Sequence, residues 1–180
     1  VWNESGDSII WVKVPRIDAS SNTDHIWLYY NNSSATDNQN PTGVWNSDIA
    51  GVLHMNGDNS DASSNQVSMT DTNVSYVSGP FSNAASFLAS SNSRMLADSA
   101  TTFSPSDDYS VELWIKPTST NANESMLIHK LGDYEWKINN NFAAFQHGTP
   151  WQSVVSYNDV NYTQDSWQHL IMVFDKTAQT

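Results

Sequence analysis

The chain has no cysteine, which excludes disulfides, thiolate metal sites and a cysteine nucleophile while leaving secretion open. Basic residues are scarce too: seven Lys and Arg face nineteen Asp and Glu, a formal net charge of -12 over 180 residues. A surface of that sign repels phosphate, so nucleic acid and anionic membranes are poor partners. It suits cations, neutral sugars or basic partners, although solubility in saline surroundings is the plainer explanation. No apolar run approaches the length needed to cross a bilayer, and no membrane insertion is expected. Strong helix formers are few. Asn, Ser, Thr and Asp are abundant instead, the composition of an all-β chain with many loops.

Two segments carry the clearest pattern. In Tyr109–Pro117, Val111, Leu113 and Ile115 point one way and Glu112, Trp114 and Lys116 the other. That period of two marks a strand in a sheet with unlike faces, and Pro117 ends it. Trp167–Asp175 is nearly continuously apolar and predicts a strand buried on both sides. Between and before them lie further short strands: residues 51–55, 67–69, 75–77, 126–131, 134–139, 142–146 and 153–157, with a hairpin expected from 84–89 and 94–97. Residues 9–15 and 25–30 predict an antiparallel pair joined by the polar stretch 18–24. Asn31–Thr42 predicts a loop or linker. Many short strands with frequent turns indicate a sandwich or jelly roll, and no helix longer than a turn is expected.

The Val111–Pro117 and Trp167–Asp175 strands, with Gly51–His54, the Asp58–Asn65 loop and Ala85–Leu88, resemble laminin-G-like domains of the concanavalin A-like lectin and glucanase superfamily. The resemblance covers about residues 48–180 and implies a jelly-roll sandwich. Trp11–Pro15 followed by Ile26–Asn32 is similar to the end of a domain of unknown function that precedes such modules in bacterial and archaeal surface proteins. Two domains are therefore expected. Residues 1–47 are the C-terminal fragment of a preceding β domain plus linker, a two-stranded appendage. Residues 48–180 are a laminin-G-like jelly roll that stops before the closing strands of its family. The two appendage strands are expected to cover the resulting gap, within the chain or across a homodimer through exposed strand edges.

Several residue clusters carry candidate chemistry. Asp58, Asp61 and Asn65 place hard oxygen donors at close spacing, as Ca²⁺ requires, and related jelly rolls often carry a structural calcium. For any one of them an Asx turn that satisfies local N–H groups is the preferred explanation. Sugar binding needs an aromatic face for the apolar side of a pyranose and polar groups for its hydroxyls. Gln146, His147, Trp151 and Gln152 surround a Gly/Pro turn, with Tyr134 nearby, and Trp151 is the best platform. Trp114 and Trp167 are expected in the core, as the family resemblance implies, and His169 in packing.

Catalysis is not expected. The glucanases of this architecture carry an E-x-D-x-x-E strand, and the glutamates here, Glu4, Glu112, Glu124 and Glu135, do not have that spacing. The five histidines form no regular ligand pattern. The expected function is non-catalytic recognition of a glycan or surface protein, outside the cell or at its surface, with a periplasmic location as a variant. A structural or adhesive spacer, and a truncated or degenerate glycoside hydrolase, are the alternatives.

Overall fold

The computed structural model of the chain describes residues 5–99, 101–118, 125–139, 142–148 and 152–177. They fall into two compact units, Val1–Ser99 and Ala100–Thr180. Strand is the dominant element in both.

The first unit begins with a long extended stretch. Residues 9–15 and 25–30 do not form the expected pair: neither lies in a strand. Trp27, Tyr29 and Tyr30 are 74%, 88% and 77% exposed. The physical reason is that a lone two-stranded hairpin is marginal in water, and no packed face rewards this one for closing. Among the described residues the one α-helical turn, α1 (Pro41–Val44), starts as its sequence dictates. Asn40 caps it by accepting from the Gly43 N–H at 3.0 Å, and Pro41 opens the turn where its missing N–H costs nothing.

Four short strands follow: β1 (Met69–Thr72), β2 (Ser75–Gly79), β3 (Ser82–Ser86) and β4 (Arg94–Ala97). β1 pairs antiparallel with β4, and β2 with β3. The hairpin expected between residues 84–89 and 94–97 is thus replaced by two nested pairs. Gly79 makes the tight β2–β3 turn feasible, since a Cβ there would stand 2.7 Å from the Asn83 carbonyl oxygen. Asn73 ties the nested pairs together. Its amide donates to the Ser91 carbonyl at 2.7 Å, and its own carbonyl accepts from the Ser93 hydroxyl at 2.6 Å.

The described residues of the second unit form two sheets. β5 (Tyr109–Ile115) pairs antiparallel with β10 (Gln168–Phe174). β6 (Ser125–Lys130), β7 (Tyr134–Asn139), β8 (Phe142–His147) and β9 (Gln152–Asn161) form an antiparallel meander in chain order. Tyr134, Trp136 and Phe145 from the larger sheet pack with Met172 and Phe174 from the smaller one, and Tyr109, Val111, Leu113 and Leu170 close around them. Two sheets joined by one apolar layer are a β-sandwich. A smaller cluster of Ile138, Ala143 and Tyr162 extends the core.

β10 departs from expectation. Leu170, Met172 and Phe174 turn inward, but His169, Ile171 and Val173 are exposed, so this strand is buried on one side rather than two.

Candidate functional site

The outer face of the β5–β10 sheet brings together the most distinctive side chains of the second unit. Because Val111 and Leu113 pack on the core and Ile115 shares their half-buried side, Glu112 and Trp114 must emerge on the opposite side. The register sets Trp114 directly across from His169 and Glu112 across from Ile171. The indole and imidazole planes lie 12° apart with centroids separated by 5.0 Å, a stacked pair. His169 Nε2 stands 3.8 Å from Glu112 Oε2. Trp114 is 44% exposed, and Ile171 and Val173 continue the face as an apolar strip at 58% and 68%. An exposed aromatic plane, a solvated carboxylate and an imidazole thus converge on a rigid two-stranded support.

Trp114 and His169 correct the expectation that the tryptophan is core and the histidine plain packing. The signal was present in the alternation itself: any residue in phase with Glu112 had to share its face. Trp136, by contrast, is buried at 5%.

The residues expected to hold a sugar are distributed between faces. Tyr134 is 5% exposed and belongs to the core. His147 lies across the ladder from it, on the same inner side. There its ring stacks on Phe174 at 4.1 Å, and its Nδ1 shares a 3.0 Å hydrogen bond with the Tyr109 hydroxyl. Burial first, then the neighbouring Tyr134 and Asp133, push the Tyr109 phenol well above its usual range. Gln146 faces the other way, in a cross-strand row with His129 and Glu135. Glu135 there pairs with Lys137 at 2.9 Å, both largely buried. Gln152 opens β9 opposite His147. Trp151 lies outside the described residues.

Asp58, Asp61 and Asn65 lie in the first unit, and their contacts define a hub of donors. Asp61 Oδ1 accepts from the N–H groups of Val52 and Ser63 at 2.9 and 2.8 Å. Its Oδ2 accepts from the Val67 N–H at 2.9 Å and the Ser63 hydroxyl at 2.8 Å. Burial alone would raise the carboxyl pKa, but these four bonds outweigh it and hold the group below its ordinary value. Asp58 accepts from the Ser60 N–H and hydroxyl. Asn65 donates its amide to the Ala50 carbonyl at 2.9 Å. Both oxygens of the Asp61 carboxylate are thus taken by donors, with which Ca²⁺ would compete for the same lone pairs. Among the described residues no group of three or more His, Asp or Glu side chains is placed to hold a metal ion. A depression of ≈ 340 Å³ beside Asp61 is lined by Asn59, Ser60, Gln66, Val67, Ser68 and Met69.

A third cluster sits near the start of the first unit. Trp11 stacks on His54 at 5.4 Å and contacts Trp45 at 5.3 Å, so the extended stretch is anchored by rings rather than by a ladder.

The sandwich, with its one-sided β5 and β10, defines a lectin-like or glucanase-like class of domain. Residues 88–180 match the concanavalin A-like lectin/glucanases superfamily, and the chain belongs to it, with that superfamily's jelly-roll fold. Residues 2–70 match a domain of unknown function (DUF2341). No curated protein and no solved structure matches the chain. Among the described residues no helix is long and apolar enough to cross a membrane.

Proposed function

We propose that the second unit is a non-catalytic recognition module that binds carbohydrate outside the cytoplasm, through the outer face of β5 and β10. The observation that carries this is the Trp114–His169 stack beside Glu112. An aromatic plane supplies the apolar contact for a sugar ring, and the carboxylate and imidazole supply acceptor and donor for its hydroxyls. Membership of a superfamily that contains lectins agrees with it.

The non-catalytic part rests on geometry. Retaining and inverting glycosidases need two carboxyl groups across one bond, about 5–10 Å apart. Glu112 alternates with the inward Val111 and Leu113, and Glu135 with the inward Tyr134 and Trp136. Glu112 and the buried Glu135 thus lie on opposite faces of the sandwich, an arrangement that supports the non-catalytic reading.

A structural or adhesive spacer is the competing reading, and the exposed Ile171–Val173 strip favours it, since such a strip also suits a protein partner or a second copy of the chain. A glycan-array screen of the whole chain decides between them, with Trp114→Ala as control and folding checked by circular dichroism. Binding that disappears in the variant supports the lectin reading. A blank array from folded protein, with self-association visible by sedimentation, replaces it with the spacer.

A further inference from the structure

Resting on that reading, we infer that the face selects a cationic glycan, one whose sugars carry free amines, over neutral or acidic ones. The determinant is Glu112. Its side chain is 71% exposed, and among the described residues its one ionic partner within 4.0 Å is His169, at 3.8 Å. The carboxylate is therefore available to a ligand at the edge of the aromatic plane.

Two features around it point to a cation. Trp114, stacked on His169 and 44% exposed, sets an indole beside it, the best of the aromatic groups for a positive charge. The chain as a whole carries a net charge of -12, which draws cations toward it and repels uronate or sulfate groups. Lys116, just past the end of β5 and as far beyond Trp114 as Glu112 is before it, stands about 13 Å along the chain from Glu112 at the usual rise. It leaves the Glu112 end of the platform anionic. A sugar ring stacked on Trp114 would thus set an amine against Glu112, a charge-assisted hydrogen bond that a hydroxyl or an acetamide cannot match.

The test uses the whole chain and three oligosaccharides of equal length, read by isothermal titration calorimetry at moderate salt. They are a glucosamine oligomer with free amines, its fully N-acetylated counterpart and an oligouronate. The free-amine oligomer should bind about tenfold or more tighter than the acetylated one, the ratio one charge-assisted bond supplies, and the oligouronate should be weakest. Glu112→Gln should erase the preference, bringing the free-amine oligomer down to the affinity of the acetylated one, because an amide keeps a hydrogen bond but not the charge. Trp114→Ala should weaken all three. Equal affinities for the amine and acetylated forms overturn the inference and leave the lectin reading standing. A preference that survives Glu112→Gln also overturns it, since attraction would then come from the net charge alone. Absence of binding by every oligosaccharide to folded protein removes the lectin reading itself.

Discussion

The two units bury opposite chemistry at their centres. In the second, Phe145, at 1%, is ringed by Tyr134, Trp136, Met172 and Phe174. In the first, the enclosed groups are Ser63 and Asp61, at 0% and 8%, and Val67 is its one buried apolar side chain among the described residues. One unit is organised by aromatic contact between two sheets. The other is organised by a carboxylate that gathers N–H groups from Val52, Ser63 and Val67 into one loop hub. The apolar core fails when volume is removed. The polar hub fails when a proton is added.

The largest effect should come from the apolar side. Phe145→Ala removes a fully enclosed ring and should cost about 3–5 kcal/mol, read as a shift of the urea midpoint for the second unit. Amide resonances of the first unit should stay in place; their collapse would break the contrast between the units.

Asp61→Ala comes next, at about 3 kcal/mol, because it leaves three backbone N–H groups without their acceptor. The pH dependence has a definite sign. A carboxyl held below its unfolded value of about 4 contributes stability that is present above that pH and lost as pH falls through its lower folded value. The first unit should therefore loosen below about pH 4, and Asp61→Asn should flatten that limb. Added calcium should not raise its melting temperature. A calcium-dependent rise would reverse the account of this loop.

Alkali tests both units from the other side. Burial pushes the phenols of Tyr109 and Tyr134 up, and burial together with Asp71 raises Tyr76 to about 12. Groups with raised values add stability that is present below the unfolded value, about 10, and lost as pH rises through the folded one. Tyr109→Phe removes the hydrogen bond to His147 and should cost about 1 kcal/mol at neutral pH. It should also soften the alkaline limb of the second unit. An unchanged alkaline limb would mean that Tyr134 and Tyr162, both raised by burial, carry it.

Much of the second unit was legible in the sequence because alternation is a local signal. The period of two in Val111–Ile115 and the Pro117 stop placed β5, and most of the later strands fall within a few residues of their expected bounds. The pairing partners were less legible, because register depends on residues far apart. Nothing local distinguishes a 84–89/94–97 hairpin from two nested pairs held by Asn73. The exposure of His169 and Ile171 was hidden for a related reason. An apolar run looks equally buried on both sides until the neighbouring layer is known. Asp61 was visible as an Asx-type residue, but its role as acceptor for Val52 and Val67 needed the loop to close on itself.

The smallest expected stability change is also the most informative about function. Trp114 lies on the exposed side of β5 and contributes a stack on His169 rather than a filled core position. An aromatic pair of this kind adds about 0.5–1.5 kcal/mol beyond burial, so Trp114→Ala should lower stability by no more than about that range, far less than Phe145→Ala. The sheet should persist, because Val111, Leu113 and Ile115 still hold β5 from beneath. Sugar affinity should nevertheless disappear, since the platform is gone. Fluorescence-monitored unfolding and calorimetry on one preparation give both numbers. A loss as large as that of Phe145→Ala would place Trp114 among the core residues and take the binding face away from β5 and β10. A small loss with abolished binding would separate the side of the strand that folds the unit from the side that meets the ligand.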